Sequence, residues 1–562
     1  MEIFIFIFPI ISFFISLFPI SSKYLNIVFI IYCFCMIFSF CLSVYLFIKL
    51  FQLNNDIPLY FYPLFQFNKD FIAWSLRLDL YVSTFISIIT FVSSLVAIYS
   101  INFFKERNLN LRLIRNFSLL LIGMLTIITS NNLIQFFIAW QIILFSFYLL
   151  VHRKNTNVTC ISSSKIFLHN RISDLVFLLS VYLLYTLNNS IYFENIFENN
   201  NIVNNDILFW GITISRAELA VFLLFFSCLL RFRQFFISNC IYDVKNLNTP
   251  TLTLVFCSVL LPLIIFYTFR FFPLIAFTPN FLNTMIPLSL CLIFIFIYLS
   301  FNTTNIKSVI SYLAFSQVSI IFYIFCLKEY HAAIFYFITF SLSITMLYLC
   351  LGYVMTKLNN VSNVKVMGGI VVKMPAMFLF TLMAFFSTSG VPFFSGFYSH
   401  EAIISTFHNS EQAILIPSIL IGLSASFLIS YVFLKNIILI FLGKNKGNIH
   451  EFNKINEKSS TNKLIFFCLG LCLVLTGWLT KNIFDGINAE YLWSSLIYND
   501  INLPIYSASI LSDKVRYFLM FFSFLGMLLA ILNYIIMPFI LNNYKLKYYR
   551  IFISYNKYFL RF

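Results

Sequence analysis

Nine charged or titratable side chains fall inside or at the ends of long apolar stretches: Asp79, Arg171, Asp174, Arg231, Arg233, Asp243, Lys307, His400 and Glu401. In a hydrocarbon environment each costs several kcal/mol unless paired or hydrated, so such residues mark ion pathways, proton relays or tight helix contacts. Two of the stretches also look broken. Gly390-Val391-Pro392 interrupts a long apolar run, and Ser238-Asn239 interrupts the run that carries Arg231-Phe232-Arg233-Gln234. Proline removes a backbone donor and bends a helix. Broken helices with charges at the break are one way that ion transporters expose polar backbone at mid-membrane depth. The plainer reading, polar patches that only pack helices together, stays open at this point.

The elements that must position these groups are membrane helices. Of 562 residues, 61% are hydrophobic, 20% aromatic and only 10% charged. A soluble domain carries about 25% charged residues and could not bury this much apolar surface. Soluble-enzyme readings are excluded. Apolar runs lie near 3–20, 25–50, 80–104, 114–130, 132–151, 164–187, 216–243, 250–271, 282–301, 305–327, 330–356, 371–406, 413–442, 463–483 and 515–541. Each is close to the ~20 residues that cross a bilayer core. The fold expected is all-α and polytopic, with about fifteen transmembrane helices, because lipid leaves the backbone no other partners. The first run has no basic residue before Lys23 and no small-residue cleavage pattern, so a retained helix is expected there. Heavy use of Phe, Ile, Asn, Tyr and Lys fits AT-rich codons, as in organelle genomes, by compositional association.

Other chemistry lacks the required patterns. The twelve Cys are scattered, no Cys-x-x-Cys occurs, and the six His show no zinc spacing. There is no phosphate-binding glycine loop and no nucleophile elbow. The net charge of +16 sits at helix ends and in loops, as in the tail with Lys545, Lys547, Arg550, Lys557 and Arg561. Interfacial anchoring to anionic lipid is expected there, and no nucleic-acid partner.

Five strings, in order along the chain, carry a resemblance: Val92–Ile101 (VSSLVAIYSI), Asn131–Leu150 (NNLIQFFIAWQIILFSFYLL), Lys165–Asp174 (KIFLHNRISD), Asn305–Gln317 (NIKSVISYLAFSQ) and Gly390–Glu401 (GVPFFSGFYSHE). They resemble helices three, five, six, ten and the break in helix twelve of the chain 5 subunits of NADH:ubiquinone oxidoreductase, respiratory complex I. The resemblance covers residues from about 75 to 445. It implies two inverted five-helix repeats (113–271 and 272–445) between N-terminal helices (1–112) and C-terminal helices with a basic tail (446–562), and broken helices seven and twelve. It further implies a multi-pass place in the mitochondrial inner membrane, contributing to proton translocation coupled to NADH oxidation. The expected neighbours are a chain 4-like antiporter subunit, accessory subunits and the bilayer. NAD, FMN, Fe–S clusters and ubiquinone belong to other subunits in the family, no cofactor or metal is expected in this chain, and bound phospholipid such as cardiolipin is expected at the basic ends.

In the family a Glu in helix five faces a Lys in helix seven, and His and Lys residues continue to a Lys or Glu in helix twelve. A lysine suits such an axis because desolvation readily shifts its proton affinity. This chain departs from that axis at nearly every titratable position. Gln141 stands for the Glu, Arg231 for the helix-seven Lys, and Phe256 for a His in helix eight. Tyr336, Phe340 and Ile344 stand for two His and the central Lys of helix eleven, and His400 for the helix-twelve Lys; Asp174 and Asp243 are retained. An arginine stays protonated at any working pH, and Gln141 carries no charge to modulate it. The expectation is a relay interrupted between Arg231 and His400 at Ile344, with His400 and Glu401 as a remaining titratable pair that could serve an exit half-channel or equally act as a polar plug satisfying the broken backbone. The long lateral helix that follows helix fifteen in the family is expected to be absent. Two other classes stay open: a purely structural membrane-arm subunit, and a monovalent cation/proton antiporter subunit, which should have kept the Glu and Lys replaced here. An unrelated permease would make the ordered strings a coincidence.

Overall fold

The computed structural model describes residues 3–18, 24–53, 57–67, 70–105, 111–152, 157–198, 206–209, 212–236, 248–276, 278–409, 412–443, 460–484 and 513–537. Asp243, the Ser238-Asn239 break and the basic tail after Ile540 lie outside these residues, and so does the stretch where the lateral helix was sought. The side chain of Arg233 is likewise outside them.

Helices account for nearly all of it. The chain opens with α1 (Phe4–Leu17) and α2 (Leu25–Leu53), then an antiparallel hairpin of β1 (Ile57–Phe67) and β2 (Asp70–Leu78). Next come α3 (Leu80–Lys105), α4 (Leu111–Ile128), α5 (Leu133–Val151), α6 (Asn157–Asn188) and the short α7 (Phe193–Glu198). A second small hairpin, β3 (Asp206–Phe209) with β4 (Ile212–Ser215), leads into α8 (Arg216–Phe236). After α9 (Thr249–Arg270) and α10 (Phe272–Ala276) follow α11 (Pro279–Asn302), α12 (Ile306–Cys326) and α13 (Tyr330–Lys357). A helix broken in two, α14 (Pro375–Thr388) and α15 (Ser395–Asn409), precedes α16 (Gln412–Ile437), α17 (Ser460–Phe484) and α18 (Asp513–Ile531).

Every apolar run read from the sequence carries helix. Among the described residues eleven helices are long and apolar enough to cross a membrane, and three more apolar helices, Phe4–Leu17, Pro375–Thr388 and Met520–Ile536, are shorter. The two hairpins were not anticipated. Pro58 and Pro63 in β1 tolerate a two-stranded ribbon because an edge strand needs only half its donors paired.

Residues that look alike in sequence do different work according to depth. Most of the α13 span is buried, whereas the outward faces of α2, α6 and α17 carry exposed Ile, Leu and Phe. The periphery suits lipid or protein neighbours, and α13 is the central post. Helix α9 holds a π-helical stretch over Leu254–Leu260, a widening often found at functional sites.

One local device occurs twice. Asn132 caps α5 by accepting from the Gln135 N–H, and pairs across to Tyr192 beyond α6. Asn305 caps α12 by accepting from the Lys307 N–H, and pairs across to Asn363 beyond α13. Asn132 also donates to the Ala73 carbonyl at 3.0 Å, tying the β2 strand to α5. Replacing Asn132 by alanine should therefore cost about 1 kcal/mol for the cap alone, read as a lower unfolding temperature in detergent.

Candidate functional site: two polar clusters and the layer between them

The first cluster is built on α5, α6 and α8. Arg171 and Asp174 are three residues apart on α6 and so share a face, with an ionic contact of 3.4 Å. The packing of α6 on α8 brings Arg231 to the same carboxylate: its Nη2 donates to Asp174 Oδ1, and its Nε donates to Ser173 Oγ at 3.2 Å. Trp140 of α5 lays its ring 3.9 Å from the Arg231 guanidinium carbon, a cation–π contact that substitutes for lost hydration. Gln141, the next residue, turns to α6 and accepts from Arg171 Nη2 at 2.7 Å, while its own Nε2 is buried without a partner. A cavity of about 470 Å3 opens beside Arg231, lined by Asn170, Leu120, Ile143 and the α9 residues Val255, Val259, Leu260 and Leu263. The π stretch thus forms part of its wall.

Chemically this cluster is a fixed-charge lock. Both bases around Asp174 are guanidiniums, which hold their protons. Gln141 beside them is an uncharged amide. The arrangement can orient helices and hold a field.

The second cluster lies at the broken helix. The α14–α15 connection reverses through Gly390 at φ +72° and Phe393 at φ +72°. A left-handed phenylalanine is a strained conformation of the kind retained at sites over-determined by their surroundings. His400 on α15 reaches back so that Nε2 sits 3.3 Å from the Thr388 carbonyl, and its ring meets that of Tyr336 edge-on at 5.3 Å. Tyr336 in turn donates to Gln317 Oε1. Two cavities flank His400. One, of about 580 Å3, is lined by Gln317, Tyr323, Thr388, Ser389 and Ile429 among others; Gln317 Nε2 is buried there without a protein partner, a place for ordered water. The other, of about 290 Å3, is lined by Gly390, His400, Glu401 and Met520.

His400 and Glu401 do not pair with each other. Adjacent helical residues point about 100° apart, and Glu401 instead meets Lys481 of α17 at 3.1 Å. The sequence reading passed over Lys481. Its only signal was a charge within the last turn of the 463–483 apolar run.

Between the clusters the described side chains are apolar and aromatic. Ile344 is 0% exposed, and Phe256, Phe315 and Tyr348 close around the adjoining α9 and α12 faces with ring separations of 6.0 and 5.6 Å. Phe340 stacks on Tyr336. Directly before Phe340 and Ile344 stand the hydroxyls of Thr339 and Ser343. Thr339 donates to Ser399 at 2.9 Å, and Ser343, Ser387 and Ser395 form a line with contacts of 2.8 and 3.2 Å. These hydroxyls tie α13 to both halves of the broken helix.

Asp79 and Lys307 prove to be helix-end groups. Asp79 precedes α3, where Arg77 at 2.9 Å and Arg270 at 3.5 Å neutralise it. Arg270, also unremarked in the sequence, donates to Tyr81 and to the Ser130 carbonyl, closing the β1–β2 end of the bundle. Lys307 is the second residue of α12.

Comparison with known proteins agrees with this geometry. The model of the NADH:quinone oxidoreductase/Mrp antiporter transmembrane family matches residues 130–428, more than half of the chain. The chain belongs to this family. A second model, the N-terminus of complex I chain 5, matches residues 65–112. Among antiporter-family relatives, NADH-ubiquinone oxidoreductase chain 5 of Chondrus crispus is 24% identical over 504 residues, 88% of this chain and 75% of that one. NADH-quinone oxidoreductase subunit L of Rickettsia typhi is 26% identical over 440 residues, covering 77% of this chain and 64% of that protein. The fold is that of a chain in the Mrp complex of Dietzia sp., at a TM-score of 0.75 with 14% identity, over 96% of this chain and 56% of that one. It is also that of a chain in the membrane-bound sulfane sulfur reductase, an archaeal respiratory complex, at 0.70 with 16% identity, over 92% of this chain and 99% of that one. The protein is thus a multi-pass antiporter-type membrane subunit.

Proposed function

We propose that the protein serves as the chain 5-type antiporter-like subunit of a mitochondrial NADH:ubiquinone oxidoreductase, where it contributes to proton translocation while carrying no redox centre. The observation that carries the reading is the buried ion pair of Asp174 with Arg231 inside an antiporter-family bundle. Its place is the inner membrane, beside a chain 4-like subunit and accessory proteins. Phospholipid such as cardiolipin covers the basic helix ends, and NAD, FMN, Fe–S clusters and ubiquinone reside in the partners. The two five-helix repeats meet near residue 272, with the Asn132 and Asn305 caps at equivalent places.

The titratable relay within this chain is interrupted. Arg231 holds its proton, Ile344 offers no group, and the aromatic layer around it raises the free energy of any hydrated proton. A purely structural role is the second reading, favoured by the same fixed-charge lock. Affinity purification of the tagged chain from its own membranes tests the first proposal: NADH:ubiquinone reductase activity should travel with it, and its absence from the purified complex would remove the reading. Protons moved per NADH oxidised then separate a conducting from a silent subunit. His400→Lys alone is expected to leave that ratio no higher than wild type, because Ile344 still interrupts the axis. A rise in the single variant would show that the interruption is bridged by water.

A further inference from the structure

Lys481 lies beyond the stretch matched by the antiporter family, on a helix that carries none of the expected relay residues. It reaches the second cluster because α17 can approach α15 closely. A Cβ on Gly477 would fall 2.4 Å from Ser395 Cα, so a glycine is needed for this contact. Lys481 is one turn further along the same face of α17. Ser395, Tyr398 and Glu401 are spaced by three on α15, and the Lys481 ammonium meets the last two, 5.6 Å from the Tyr398 ring centre and 3.1 Å from Glu401 Oε2. The carboxylate side chain is 5% exposed and the lysine side chain 33% exposed, so the pair runs from the interior to the edge of the bundle. On its inner side Glu401 shares the 290 Å3 cavity with His400.

We propose that Glu401 and Lys481, fed by His400, form a proton-release site: an acid–lysine pair that the first cluster lacks, rebuilt at the other end of the chain. This deepens the functional reading above and rests on it. The steps balance. The Lys481 ammonium, on a side chain that is 33% exposed, loses a proton to its surroundings and becomes a neutral amine. The Glu401 carboxylate, having lost the Lys481 charge, takes a proton from the His400 imidazolium through water in the shared cavity. The carboxyl proton then crosses the contact to the amine and restores the ion pair. The net change is one proton moved from His400 to the surroundings of Lys481, with His400 left neutral and ready to reload from the 580 Å3 cavity.

A salt bridge that only clamps α17 to α15 would tolerate arginine, whereas a release site would not, since a guanidinium keeps its proton. The test is Lys481→Arg in the intact complex in its native membrane, read as protons moved per NADH oxidised. The expected result is a lower ratio with the subunit still assembled; a wild-type ratio overturns the proposal. Should the arginine disturb assembly, the double variant Glu401→Gln/Lys481→Met removes both charges with little change in shape. It is expected to lower the ratio, and a wild-type ratio there also overturns the proposal. Failure of the functional reading looks different: the purified complex would lack this chain altogether.

Discussion

Replacing Asp174 by alanine is expected to destabilise the α5–α6–α8 cluster by about 3–5 kcal/mol, the range found when one partner of a buried ion pair is deleted. Asp174 is buried between two guanidiniums, and Arg231 is itself buried, with the Trp140 face and the Ser173 hydroxyl as further support among the described residues. Without the carboxylate, Arg231 keeps its charge and loses its counter-ion, and Arg171 adds repulsion. The subunit should show a lower unfolding temperature in detergent and a reduced amount in the assembled complex. Adding Arg231→Met to Asp174→Ala should recover most of the loss, because the isolated charge is then gone. A single Asp174→Ala protein that melts like wild type would mean that water, rather than Asp174, compensates Arg231.

The second large effect is steric. In Gly396→Ala the new Cβ would lie 1.6 Å from the Ser387 carbonyl oxygen and 2.7 Å from its carbon. Both are backbone atoms, so no side-chain rotation relieves the overlap. The two halves of the broken helix must separate, breaking the Ser387–Ser395 contact and moving His400 with α15. The expected penalty exceeds the ~1–3 kcal/mol usual for overpacking. It should appear as loss of the subunit from the membrane rather than as an altered proton ratio. Normal accumulation of Gly396→Ala would show that α14 and α15 are less tightly joined than their contact implies. At Gly390 the same substitution meets a second obstacle, a left-handed backbone with His400 Cδ2 2.9 Å from the added carbon.

Much of this was legible beforehand because it is encoded locally. Apolar runs of helical length declare spans, since the bilayer leaves the backbone no alternative. Gly390-Val391-Pro392 declared the break, and Arg171 and Asp174 stood out as charges within an apolar run. The β1–β2 hairpin was missed because Pro58, Pro63 and a mixed aromatic pattern suit loop as well as strand. The π stretch in α9 was missed because it leaves no composition signal.

By itself, then, the sequence determined the membrane class, the approximate positions of the helices, and which titratable groups were available to a relay. Only the tertiary structure decided which of them meet. Glu401 lies next to His400 in the chain, but a helix turns about 100° between neighbours, and the carboxylate meets a lysine eighty residues away. Arg231 finds Asp174 across 57 positions, and Ser343 finds Ser387 across 44. Such partners depend on helix approach, which small residues such as Gly396 and Gly477 permit, and on the high free energy of leaving a charge unpaired in a dry interior. Neither follows from the order of residues along one helix.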